Sequence, residues 1–277
     1  RLIHAGLVLD VGSRDEDPEE HGLAHFWEHM AFKGTKKRRA YHIINRLESV
    51  GGELNAFTTK EKICFYASVL EDYFDKAIDL LTDITFQSVF PEKQIDRERQ
   101  VILDEIAMYE DSPEDALQDD FDEVVFGEHP LGKNILGTSD TLASFQRPDF
   151  LDFIQGNVAN GKIVLTIVGG LPFNRVLKIA TRHMQDIPLI QGNHQRLAPT
   201  PLFGQYIEKQ KPFGRAYCAM GRDAYSLDDQ QRYPFFMLTN ILGGPGMNSR
   251  LNMSLREKFG YVYSIDATFH SFTDSGM

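Results

Sequence analysis

His25 and His29 stand four residues apart, with Glu28 directly before the second, in the run His25-Phe26-Trp27-Glu28-His29. On a helix, positions i and i+4 project from one face a turn apart, so both imidazoles can reach one ion. Glu28 is three residues from His25 and can face the same water without being a ligand. The order, with Glu just before the second His, is the inverted form of the zinc-protease pair. Two surface histidines on an ordinary helix are the bland alternative. A catalytic zinc ion usually keeps three protein ligands and one open position. A helix expected over residues 96–110 offers Glu98 and Glu105, seven apart and therefore on one face across two turns. Taken alone, either carboxylate reads equally well as part of a solvated charged face.

The elements that must position these groups follow from periodicity and breakers. Residues 3–11 read as a largely buried strand, and 22–32 as a helix closed by Gly34. A second helix is expected over 40–49, then strands over 54–58 and 63–70, the latter rich in aromatic and β-branched residues. Residues 72–86 place Phe74, Ala77, Ile78, Leu81 and Ile84 on one helical face. Pro91 is expected to open the next helix at its first position. Further helices are expected over 116–126, 148–156 and 173–183, with a loop over 127–137 and a strand over 162–168. The polar stretch 191–204, with two prolines and two glycines, reads as a linker. The remainder restarts the plan at an offset of about 205–210 residues. Its expected strands are 216–220 and 261–269, with a helix over 233–242 ending at Gly243-Gly244.

The segment HGLAHFWEHMAFKGT (residues 21–35) resembles the active-site block of the M16 metallopeptidases, the family of pitrilysin, insulin-degrading enzyme and mitochondrial processing peptidase. In that family a Glu about 76 residues beyond the second His completes the metal site, preceded seven residues earlier by another Glu. Here Glu105 lies 76 residues beyond His29, and Glu98 lies seven before it. RERQVILDEIAMYEDSPED (97–115) is similar to the family's second block, and the likeness runs from Gly6 to Phe269. The resemblance points to a bacterial processing-peptidase-like member. It implies one zinc ion per chain on His25, His29 and Glu105, Glu28 as the base, and Glu98 as a carboxylate supporting a ligand. ESVGGELNAFT (48–58) resembles the edge strand on which family members lay out substrate, with Asn55, Ala56, Phe57 and Thr58 pairing to an extended peptide. Arg256 and Tyr263 resemble the family's pair that steadies the substrate carbonyl. Trp27 departs from the pattern, which has Leu there. Lying next to the motif, it is expected to shape the pocket and to report zinc binding by fluorescence. In the second repeat, FMLTN (236–240) stands where the metal motif would be, so that repeat binds no zinc.

The expected fold is therefore α+β: a mixed, mainly antiparallel sheet with helices packed on one side, duplicated, the second repeat incomplete. The expected division is a catalytic domain over 1–198 and the start of a second repeat over 199–277. The expected function is a zinc endopeptidase acting on extended peptides, with a catalytically silent partner subunit as the alternative and a non-catalytic metal module as a third. Lys and Arg number 29 against 40 Asp and Glu, a net charge of −11, which disfavours nucleic acid and suits basic peptides. No run is apolar enough to span a bilayer. Two cysteines make neither a disulfide framework nor a Cys-rich zinc site. Neither Arg1 nor Met277 reads as a natural terminus, so a processed chain or fragment is expected. The resemblance implies pairing, as a homodimer or with another M16-type half. The compartment is open between cytoplasm, periplasm and mitochondrial matrix.

Overall fold

The computed structural model describes residues 1–185, 187–200, 204–212 and 214–277. Residues 201–203 of the expected linker lie outside the described residues. The chain divides into two compact units: Arg1–Ala116 with Lys133–Arg196, and Leu117–Gly132 with Leu197–Met277.

The first unit runs β1 (Leu2–Leu9), α1 (Leu23–Ala31), α2 (Ala40–Glu48), β2 (Glu53–Thr58), β3 (Ile63–Leu70), α3 (Phe74–Phe86) and α4 (Glu92–Asp111). It continues through the start of α5 (Pro113–Phe126), then α6 (Ser139–Ser144), α7 (Arg147–Asn157), β4 (Ile163–Gly169) and α8 (Phe173–Met184). The four strands form one sheet in the order β2-β3-β1-β4, and every pairing is antiparallel, so the sheet is not mixed. Pro91 takes the capping position of α4 rather than its first helical turn.

Alternation along the strands makes the sheet two-faced. Ile3, Ala5, Leu7 and Leu9 of β1 and Ile63, Phe65, Ala67 and Val69 of β3 are buried under the helices. The other face carries His4, bonded to Ser68 at 2.8 Å, and exposed Leu2, Phe57 and Val164. The expected apolar face of α3 is buried throughout.

α1 is the pivotal helix. Leu23, Ala24, Phe26, Trp27, Met30 and Ala31 are buried in the core. Trp27 packs against Phe65 and Phe153, with ring centroids 6.1 and 6.3 Å apart, and is 1% exposed. This corrects the expectation that Trp27 shapes the pocket. Adjacent helix positions point about 100° apart, so sequence proximity to the metal motif turned its ring into the core. Gly22 begins the helix at φ 99°, where a Cβ would lie 2.7 Å from the Leu136 carbonyl oxygen. Both facts demand glycine.

In the second unit, α9 (Arg232–Gly243) and a π-helical turn at Asn252–Lys258 are helical, and Val125, Phe126 and Leu131 form a small core against Phe272. The strands expected over 216–220 and 261–269 do not form. Among the described residues of this unit the only β pairing is the bridge between Ser271 and Gly276. A strand is defined by its ladder partner, and these segments have none there. No helix among the described residues is long and apolar enough to cross a membrane.

Candidate metal centre

His25, Glu28 and His29 occupy the remaining face of α1, the one that packs toward α4 and β2. The His25 and His29 rings meet edge to face, with centroids 4.6 Å apart. Glu105 arrives from the middle of α4. Its Oε2 lies 3.8 Å from His25 Nε2 and 3.6 Å from His29 Nε2. One ligand atom from each residue falls within 4.8 Å of the others.

Bonds of about 2.1 Å to one zinc ion at tetrahedral angles separate ligand atoms by about 3.4 Å. The two observed His–Glu105 separations are close to that. Two imidazole nitrogens and one carboxylate oxygen are a donor set for zinc, with a fourth position left over. Both histidines turn Nε2 toward Glu105, and they differ at Nδ1. His29 Nδ1 lies 3.4 Å from Glu98 Oε2, and Lys33 Nζ holds the other Glu98 oxygen at 2.7 Å. This carboxylate–histidine contact fixes the ring and its tautomer. His25 Nδ1 is buried and has no hydrogen-bond partner among the described residues.

Burial, with the His29 ring alongside, pushes the His25 imidazole down to about 3. A neutral ring is the metal-binding form. The sign for stability follows. Unfolded, the ring titrates near 6.5, so below that pH the unfolded chain takes up a proton that the folded chain refuses. The metal-stripped chain is therefore expected to lose stability as pH falls from about 6.5, at up to about 1.4 kcal/mol per pH unit. Urea midpoints at pH 7 and pH 5.5 check this, with His25→Gln flattening the difference. Equal midpoints for the parent chain would refute it.

Glu28 is held by Thr58, whose hydroxyl donates to Glu28 Oε2 at 2.6 Å. Burial raises its carboxyl above the usual range, opposed by the Thr58 bond and the His29 ring and assisted by the negative Glu105. Thr58 closes β2, an edge strand paired with β3 alone among the described residues. Asn55, Ala56, Phe57 and Thr58 therefore lie along an open sheet edge leading to Glu28. Within that edge, Asn55 Oδ1 accepts the Ala56 N–H at 2.9 Å. Arg256 and Tyr263 belong to the second unit, where the guanidinium stands 6.0 Å from the Tyr263 ring centroid and the ring is 83% exposed.

Three supporting groups were not read from the sequence. Lys33 was within reach, because it continues the His25, His29 spacing by one more turn. The Thr58–Glu28 bond joins elements 30 residues apart and has no local signature. Glu16 lies in the charged stretch 12–20, whose composition reads as a solvated loop. It is buried and accepts from the backbone N–H of Gly22 at 3.0 Å and of Ala24 at 2.7 Å, capping α1. Burial pushes its carboxyl well up, against the pull of those two donors. Its loop is tied down by the buried Arg14–Glu61 pair at 2.6 Å and by Arg196, bonded to Asp15 at 2.7 and 2.8 Å.

Comparison with known proteins agrees with the frame these residues define. The profile described as Insulinase (Peptidase family M16) matches residues 2–139, and that described as Peptidase M16 inactive domain matches residues 144–277. An "Uncharacterized zinc protease" of Rickettsia felis is 37% identical over 275 residues, covering 99% of this chain and 66% of its own length. The "Uncharacterized zinc protease YmxG" of Bacillus subtilis is 33% identical over 283 residues, covering 100% of this chain and 67% of its own length. The chain thus spans about two thirds of the length of these relatives. A solved structure described as a peptidase M16 inactive domain from Pseudomonas fluorescens shares the fold, with a TM-score of 0.86 at 18% identity over 99% of this chain and 67% of that one. With both profiles and these full-span relatives in agreement, the chain belongs to the peptidase M16 family of zinc-protease-like proteins.

Proposed function

We propose that this chain carries the catalytic part of a zinc-dependent endopeptidase that hydrolyses peptides held in extended form. The observation that supports it best is the convergence of His25, His29 and Glu105 beside a half-buried, proton-affine Glu28. Zinc held by these three residues would acidify a water molecule and polarise the peptide carbonyl. Glu28 is the general base: Thr58 occupies Oε2, leaving Oε1 to take the proton and later deliver it to the departing amine. Its raised proton affinity suits both halves of that transfer near neutral pH. Glu98 keeps His29 oriented. The open edge of β2 accepts the substrate backbone by strand addition, which gives affinity with little sequence selection. Arg256 and Tyr263 are proposed to steady the carbonyl oxygen as charge develops, a role worth a few kcal/mol in comparable sites.

Residues 199–277 are proposed to begin the second, non-metal-binding repeat, and the working enzyme to pair with a second copy or another M16-type half. The acidic balance favours basic peptides. A silent partner subunit is the competing reading, and the presence of all four residues of the metal centre weighs against it. Zinc stoichiometry measured with cleavage of an unfolded, internally quenched peptide separates the readings. One zinc per chain with chelator-sensitive cleavage is expected. Zinc without turnover makes the chain a metal-binding module, and neither makes it a silent partner.

A further inference from the structure

Thr58 belongs at once to the open sheet edge and to the surroundings of Glu28. Leu54, Ala56 and Thr58 alternate on the half-buried side of β2, and Leu54 and Ala56 pack against the main core. That phase points the Thr58 hydroxyl at the helix layer, where it donates to Glu28 Oε2 at 2.6 Å. Glu28 forms no other hydrogen bond among the described residues, so this hydroxyl is the tether of its carboxyl group.

The Thr58 backbone faces the other way. In an antiparallel pair, alternate residues bond the neighbouring strand and the others point outward. The Thr59 N–H donates to the Lys62 carbonyl at 2.8 Å, so residue 59 faces β3 and residues 56 and 58 face the open edge. The Ala56 N–H agrees with this phase, since the Asn55 side chain accepts it at 2.9 Å. Beyond Thr58 the chain is anchored. The Thr59 carbonyl accepts the Ser13 N–H at 3.2 Å, and the Lys60 carbonyl accepts the Arg14 N–H at 2.7 Å. The end of β2 is therefore a fixed reference rather than a loose tip.

We propose that Thr58 is a positioning residue that converts backbone pairing along β2 into alignment of Glu28 with the scissile carbonyl, so that pairing raises turnover as well as affinity. The role presupposes peptide hydrolysis at the metal centre as proposed. The docking edge follows from the family resemblance, whereas the hydroxyl link from that edge to the base comes from the geometry alone. A peptide paired with the outward groups of Ala56 and Thr58 takes its position from the residue that also fixes Glu28 Oε2. Its carbonyl and Glu28 Oε1 then share one frame. Binding energy from residues remote from the cleaved bond thereby appears in the rate. Without the hydroxyl the peptide still pairs, but the carboxyl group is free to rotate and the alignment is lost.

The test uses the whole, zinc-loaded chain and two quenched peptides of one sequence. One is N-methylated at every backbone amide outside the scissile bond, which blocks strand pairing without changing a side chain. For the parent chain, N-methylation is expected to raise KM and to lower kcat at least about tenfold. Thr58→Val keeps the side-chain shape and the backbone N–H. It is expected to lower kcat on the plain peptide about tenfold or more, with KM within about twofold and zinc retained. On this variant N-methylation is expected to raise KM but to leave kcat within about twofold. Thr58→Ser is expected to restore the parent pattern, and Thr58→Ala replaces the valine variant if that one does not fold. A folded, zinc-loaded Thr58→Val with parent kcat, or N-methylation lowering kcat equally in both chains, would overturn the role. So would parent cleavage with equal kcat on the two peptides, which leaves the hydrolytic reading standing. A parent chain that cleaves neither peptide refutes that reading and this role with it.

Discussion

Glu28→Gln is expected to lower peptide hydrolysis by about 10²–10⁴-fold, the usual worth of a positioned acid–base group, while zinc content stays at one per chain. The two outcomes separate because Glu28 shares the helix face with His25 and His29 but contributes no atom to the three that converge. The amide is nearly isosteric and can still accept from Thr58. What it lacks is an oxygen able to take and return a proton. Initial rates on a quenched peptide, with metal analysis of the same preparation, check the result. A variant that retains zinc and full activity removes Glu28 from the reaction. One that loses zinc places Glu28 among the ligands.

Glu105→Ala is expected to act in the opposite order, with loss of metal first and loss of activity as its consequence. The substitution takes away the only carboxylate oxygen within 4 Å of both Nε2 atoms among the described residues. Two imidazoles alone hold zinc much more weakly. The loss of affinity should therefore exceed the about 10–100-fold typical of an outer partner such as Glu98. Competition with a chromogenic chelator gives the affinity of both variants. Glu105→Ala retaining stoichiometric zinc under conditions that strip Glu98→Gln would reverse the two roles.

The convergence of His25, His29 and Glu105 was legible in the sequence where helix geometry carries the information. The His25–His29 spacing gives a shared face directly, and the Glu98–Glu105 spacing does the same on α4. Phe26 and Met30 of α1 and Ile95 and Ile102 of α4 are buried in one core, and no spacing rule specifies that the two helices share it. Only the resemblance picked Glu105 over Glu98. The first sheet was legible because β1 and β3 alternate over full-length strands. That it is wholly antiparallel was not, since each pairing depends on distant segments. Trp27 departs from its expected place because adjacent positions on a helix face different directions, and its own faces the core. The strands at 216–220 and 261–269 were expected from the repeat of the first unit's plan, which carries an order of elements but not the presence of a ladder partner.

The clamp on α1 by Glu16 bears on how the proposed centre would meet a metal ion. The helix has no side-chain cap at Gly22, and its first donors are instead held from upstream by a buried carboxylate whose loop is bolted down through Arg14 and Arg196. Fraying from that end requires the loop to release first. Together with the Glu98 contact to His29, this would set the proposed ligands before any ion arrives. Capture then orders little of the chain, and the conformational entropy that a floppy site surrenders on binding has already been met by folding. Uptake should resemble docking into a rigid socket, and its heat capacity change should be small.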